Sequence, residues 1–245
     1  MKRHERPRTW RDLAATIGIA LVTCMGVAAF QLFGMGDRAA NPGPSPSGHP
    51  GPDGGSVADL MIDWADWRRV NPDIVGWIAI PGTGVSQPIV AATADDPDYY
   101  LDHDVYGNWN PYGAVYLDAG CRDGLLNSRN AVVYGHHMHD GSMFSEIAGY
   151  ADLAWAREHQ KVMVLVPGQR LEYRVRFAGI VDNAALPKQT AFADRASFEA
   201  WYAAGLANAS AVLDASERPL RTLSLVTCSY RRFDDERTVA MCSLE

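Results

Sequence analysis

The chain has 245 residues, 47% hydrophobic and 21% charged, with a formal net charge of -7. That is enough apolar material for a packed core and enough length for one or two domains. Residues 1–36 hold five Lys and Arg against two carboxylates, a net of +3 that leaves -10 on the remainder. An acidic body argues against nucleic acid as a partner, because phosphate binding needs clustered Lys and Arg.

Residues 1–12 form a basic head. Residues 13–33 carry no charged side chain. A helix needs about 20 apolar residues to cross a bilayer, whereas a secretory-signal core runs to roughly 7–15. A single uncleaved span over 13–35 is expected. A cleaved signal is the alternative, with Asp37-Arg38-Ala39-Ala40 offering small residues to a peptidase. The basic residues ahead of the span place the N-terminus in the cytoplasm and the body outside. Residues 36–56, rich in Pro, Gly and Ser, read as an extended tether, and 57–245 as the folded domain.

Leu60, Ile62, Trp64 and Trp67 predict an amphipathic helix over 57–70, stopped at Asn71-Pro72-Asp73. Short apolar runs bounded by turns predict strands over 74–80, 87–91, 113–118 and 130–134. A hairpin about Pro167-Gly168 joins strands over 161–166 and 171–181. In the second, Leu171, Tyr173, Val175 and Phe177 alternate with Glu172, Arg174 and Arg176, the period-two signal of a half-buried strand. Helical patterns occupy 143–150, 151–159 and 196–208, and strands over 220–227 and 238–244 close the chain. Many short strands with few long helices predict a mainly β fold, a barrel or sandwich with added helices.

Two stretches carry chemistry. The strand ending in Thr227-Cys228 delivers a cysteine beside a charged run from Arg231 to Arg237. A rigid strand end fixes a nucleophile, and nearby cations favour the thiolate; an inert core cysteine is the other reading. The strand over 130–134 delivers Tyr134-Gly135-His136 into a turn holding His136, His137 and His139. Histidine is the usual partner of a nucleophilic cysteine. A metal site is disfavoured, because zinc wants three or four ligands and no further cysteine or carboxylate stands at a matching spacing. None of Cys24, Cys121, Cys228 and Cys242 has C-x-x-C spacing, which argues against zinc ribbons and dithiol redox motifs.

These stretches resemble the sortases. Ser224-Leu-Val-Thr-Cys228 is similar to their T-L-x-T-C signature, with Ser for the first Thr. The turn from Tyr134 to Phe144 resembles the Y-G-H-x-M-x-D-G-x-M-F segment of class B sortases, and His136 matches their catalytic histidine. Asn71-Pro-Asp-Ile-Val-Gly-Trp-Ile78 and Tyr99-Tyr-Leu-Asp-His103 fall where that class carries N-x-D-x-x-G-W-I and Y-Y-L. Where the family often has D-N-x before Y-Y-L, this chain has Asp96-Pro97-Asp98. Arg237 resembles the arginine opening the last strand; Arg232 is the rival if the register slips.

The resemblance implies a closed β-barrel of about eight strands, with an N-terminal helical region and a helix before the Cys228 strand. It implies a cysteine transpeptidase with Cys228 as nucleophile, His136 as proton donor and acceptor, and Arg237 on the oxyanion or substrate backbone. Leu101 and Thr227 become candidate substrate contacts. The partners implied are surface proteins with a C-terminal, threonine-containing sorting signal and a cell-wall or pilin amine. No cofactor or metal is implied, and Asp95, Asp96 and Asp98 are taken as a solvated loop. A thiol peptidase and a non-catalytic binding module are the alternatives. A Cys121–Cys242 disulfide is compatible with an oxidising exterior.

Overall fold

Nine strands are found among the residues that the computed structural model describes, 62–183, 188–216, 218–228 and 235–245. They are β1 (Ile74–Ala79), β2 (Ser86–Ala91), β3 (Val115–Leu117), β4 (Asn130–Tyr134), β5 (Lys161–Val166), β6 (Gln169–Asp182), β7 (Ala211–Val212), β8 (Thr222–Cys228) and β9 (Glu236–Leu244). Neighbours run β5-β1-β2-β3-β4-β8-β9-β6, and β6 pairs back onto β5, so eight strands close a barrel. The two-residue β7 pairs with β6 beyond the reach of β5. The expected mainly β, closed-barrel fold is therefore found. No helix of the described residues is long and apolar enough to cross a membrane; the expected span at 13–35 and the tether lie outside those residues.

Most neighbouring pairs are antiparallel, but β2–β3 and β4–β8 are parallel. A parallel pair needs a long crossover. Between β4 and β8 the crossover contains α3 (Leu153–Glu158), the β5–β6 hairpin, α4 (Arg195–Ala207) and β7. Its consequence is functional: β4 and β8 end at the same rim of the barrel.

Alternation along each strand separates an inner from an outer face. Ala131 and Val133 of β4, Leu223 and Leu225 of β8, and Ala240 and Cys242 of β9 join the main core inside the barrel. Fully burying each larger aliphatic of this set contributes about 1.5–3 kcal/mol. Val132, Val226 and Val239, on the opposite face of the same strands, form a small outer cluster with Tyr134 and Val181.

Helices α1 (Trp64–Val70) and α4 cover the outside, whereas Leu125 of the short α2 (Gly124–Asn127) and Ala156 of α3 join the main core. Asp63 caps α1 by accepting from Asp66 N at 3.0 Å. Trp67 of α1 meets Trp77 of β1 edge-on at 5.5 Å. At the C-terminus of α1, Asn71 Nδ2 donates to the Tyr100 hydroxyl at 2.9 Å and to Val105 O at 3.0 Å. This ties the helix to the segment that carries Leu101. Helix α4, the expected helix before the Cys228 strand, starts on a capping box between Asp194 and Ser197. It lays Phe198 and Tyr202 on the barrel, with Tyr202 against Phe177 and Met241.

Buried phenols give this fold an alkaline limit. Burial pushes the Tyr100 hydroxyl up to about 12 and raises Tyr116, Tyr134 and Tyr150 further. In the unfolded chain these phenols ionise near 10. The stabilisation from their neutral forms is complete below that pH and is lost as pH rises through the folded values. Tm is expected to fall between about pH 10 and 12, with tyrosinate absorbance appearing together with unfolding. A flat Tm over that window would contradict the burial.

Candidate active site

Three adjacent strands build the site. In the β8–β9 ladder Cys228 is directly opposite Arg237. Side chains so paired leave the sheet about 4.5–5.5 Å apart on one face. On the other side of β8, the register Tyr134↔Val226 continues as Gly135 N donates to Val226 O at 3.2 Å. Two residues past that register come His136 on one strand and Cys228 on the other. Across the rim the order is therefore His136, Cys228, Arg237. By parity all three belong to the outer face, above Tyr134, Val226 and Val239.

Cys228 is half-buried, unlike Cys121 and Cys242, which lie in the core; all three thiols are free. The possible Cys121–Cys242 disulfide is not formed. Cys121 Sγ instead accepts from Val132 N at 3.4 Å. Burial raises the thiol pKa of Cys121 and, much further, that of Cys242. Both stay protonated at neutral pH and out of the chemistry.

His136 is half-buried, and its Nε2 lies 2.6 Å from Leu101 O. A carbonyl can only accept, so Nε2 carries a proton. Leu101 ends a 3₁₀ turn, Tyr99–Leu101, and its side chain is 39% exposed, open to a ligand at the rim. Gly113 holds this turn against β3. Its φ is 58°, and a Cβ there would stand 2.4 Å from Tyr100 O, so only glycine lets the chains approach this closely.

Thr227, expected at the substrate, takes a different place. It is 2% exposed, and its hydroxyl donates to Gly135 O at 2.9 Å. Period two already separates it from Cys228: when one side chain faces the site, its neighbour faces the core. The Thr227 hydroxyl therefore holds the histidine turn. Arg237 is half-buried, and its Nη1 donates to Glu236 O at 3.1 Å. Arg232 lies outside the described residues.

Gly135 is the pivot where the chain leaves β4. A Cβ there would stand 2.6 Å from Cγ of Phe144, a fully buried ring. Gly135→Ala is expected to destabilise the fold by about 1–3 kcal/mol through overpacking. The check is Tm together with activity, since His136 must shift with the pivot; an unchanged Tm would contradict the contact.

Two features escaped the sequence reading. The first is Tyr116, whose ring lies 5.2 Å from that of Tyr134. Burial, then Asp98 and Asp118, raise the Tyr116 phenol pKa, whereas Arg237 lowers it, so Tyr116 lies within electrostatic reach of the site. Tyr134 donates to Asp118 Oδ2 at 3.0 Å. The second feature is His137, whose Nδ1 lies 2.7 Å from Cys228 O; the His136-His137 dipeptide was the visible signal. Among the described residues no group of three or more His, Cys, Asp and Glu is placed to hold a metal ion. Asp95, Asp96 and Asp98 are exposed.

Comparison with known proteins agrees with this fold. Residues 78–245 match the sortase domain model. Sortase B of Listeria monocytogenes is 36% identical over 98 residues, 40% of this chain and 37% of that protein. Sortase B of Staphylococcus aureus is 30% identical over 94 residues, 38% of this chain and 37% of that protein. The matched stretch thus spans little more than a third of either curated relative. Among solved structures, Clostridium perfringens sortase B superposes with a TM-score of 0.67 at 24% identity, covering 74% of this chain and 98% of that one. A Staphylococcus aureus sortase B–substrate complex superposes with a TM-score of 0.65 at 22% identity, covering 74% of this chain and 83% of that one. At these identities the structural likeness concerns the fold, while the domain match extends over most of the chain, from within β1 to the C-terminus. The chain belongs to the sortase family, and the relatives it matches are of class B.

Proposed function

We propose that this chain is a membrane-anchored cysteine transpeptidase that attaches proteins bearing a threonine-containing sorting signal to a cell-wall or pilin amine. The observation that carries this reading is the order His136, Cys228, Arg237 across three adjacent strands at one rim. In the first step the Cys228 thiolate attacks the carbonyl carbon of the signal's threonine. Negative charge develops on the carbonyl oxygen, and the Arg237 guanidinium, a donor that stays charged at any working pH, stabilises it. As the tetrahedral centre collapses, His136 gives its proton to the departing amine, leaving a thioester on Cys228. An incoming amine then attacks the thioester and passes a proton to His136, and the thiolate departs. The new amide replaces the old one, and the histidine cation and thiolate are restored.

The apolar, uncharged stretch at 13–33 behind a basic head supports a single span with a cytoplasmic N-terminus and an extracellular catalytic domain. The Pro-, Gly- and Ser-rich tether would hold that domain off the membrane surface.

The test is product analysis. The purified chain is incubated with a panel of threonine-containing sorting peptides, with and without an oligoglycine or diamino-acid amine, and products are read by mass. A ligated product that requires the amine is expected. Cleavage at the same rate with water as the sole acceptor would replace transfer by hydrolysis and make the chain a thiol peptidase.

A further inference from the structure

One side chain outside the triad ties the histidine turn to the cysteine strand. His137 Nδ1 is 2.7 Å from Cys228 O, and because a carbonyl only accepts, Nδ1–H is the donor. The position of this bond in the ladder gives it meaning. Strands β4 and β8 run parallel, and the last backbone rung joins Gly135 N to Val226 O. Parallel rungs are evenly spaced and their donors alternate between the strands, so the next donor on the β4 side would be the amide of residue 137, given to the carbonyl of residue 228. The backbone bends away there, and His137 bridges to Met143 instead. The imidazole supplies the missing donor.

The turn that presents this ring is well fixed. Phe144 N donates to His136 O at 2.8 Å, and Met138 N donates to Ser145 Oγ at 2.8 Å. Met143 takes a φ of 57° to close the turn. A donor on a fixed turn can therefore fix the strand end it grips. That strand end carries the nucleophile, and the residue before the ring is His136.

We propose that His137 is a positioning residue: its Nδ1–H occupies the ladder rung that the backbone leaves empty and thereby fixes Cys228 relative to His136. The inference rests on Cys228 being the nucleophile. Misplacing a reacting group by about 1 Å can cost on the order of a hundredfold in rate.

Asn and Gln separate the position of the donor from its mere presence. The Asn amide nitrogen reaches about where imidazole Nδ1 stands, whereas the Gln amide reaches toward Nε2. For His137→Ala, kcat of peptide acylation is expected to fall about ten- to a hundredfold with KM near wild type. His137→Asn is expected to recover most of that loss, and His137→Gln to behave like Ala. Alkylation of Cys228 by iodoacetamide, read on its peptide by mass, needs no peptide substrate and should follow the same order. Near-UV circular dichroism confirms that the variants compared are folded.

His137→Asn as inactive as His136→Ala would overturn the proposal and make the ring itself a proton donor. His137→Ala with wild-type kcat and alkylation rate would overturn it as well. If the wild-type chain forms no acyl-enzyme, the nucleophile reading falls, while the alkylation series still decides the role of His137.

Discussion

Cys228→Ala is expected to abolish acyl-enzyme formation, lowering turnover by roughly 10⁴ or more, while leaving the fold intact. Removing a nucleophile removes the covalent route, and what remains is the modest rate enhancement from binding and oxyanion stabilisation. The fold should tolerate the change because Cys228 is half-buried at the last residue of β8, outside the barrel core. Substitution at such a position shifts stability by about 0.5 kcal/mol or less. A thiol probe gives a complementary readout. Of the three cysteines in the folded domain, only Cys228 should be alkylated in the native state, because burial keeps the other two thiols protonated and covered. Full turnover by Cys228→Ala would remove the cysteine from the mechanism.

Arg237→Ala should lose most turnover, about 10²–10³ in kcat, the usual consequence of removing one donor to a developing oxyanion. Arg232→Ala should stay within a few-fold of wild type. The ladder makes the distinction: Arg237 is the cross-strand partner of Cys228, and its side chain leaves β9 on the face that carries the thiol. Arg237→Lys should recover only part of the loss, because an ammonium lacks the planar fork of the guanidinium. Steady-state kinetics on the four proteins decides it. A silent Arg237→Ala beside an inactive Arg232→Ala would make Arg232 the oxyanion donor.

Much of the barrel is legible in the sequence. The ranges of β4 and β5 follow from their apolar runs, and those of β6, β8 and β9 to within two residues. These strands are half-buried or buried, so composition and period report them directly. The two-residue β7 carries too little pattern to be seen, and the helical pattern over 143–150 is realised as a 3₁₀ helix, Ser145–Ala151. The parallel β4–β8 pair could not be read from periodicity, since nothing local specifies a partner some ninety residues away. Within the site, the motifs pointed to Cys228, His136 and Arg237, and the ladder sets them side by side. Thr227 was placed at the substrate by adjacency to Cys228, whereas alternation along β8 sets its side chain on the other face, bonded to Gly135 O. The His137 rung was illegible because it is a side chain completing a backbone pattern, visible only once the register is known.

The proposed function turns on acylation of Cys228 by a threonine carbonyl. Intact-mass measurement of the chain, quenched in acid during turnover of a sorting peptide without added amine, tests it most directly. A mass increase equal to the peptide fragment ending in threonine is expected, mapped to the Cys228 peptide, lost on hydroxylamine treatment and absent in Cys228→Ala. A folded chain that cleaves the peptide with no adduct on Cys228, or with the adduct on another residue, would contradict it.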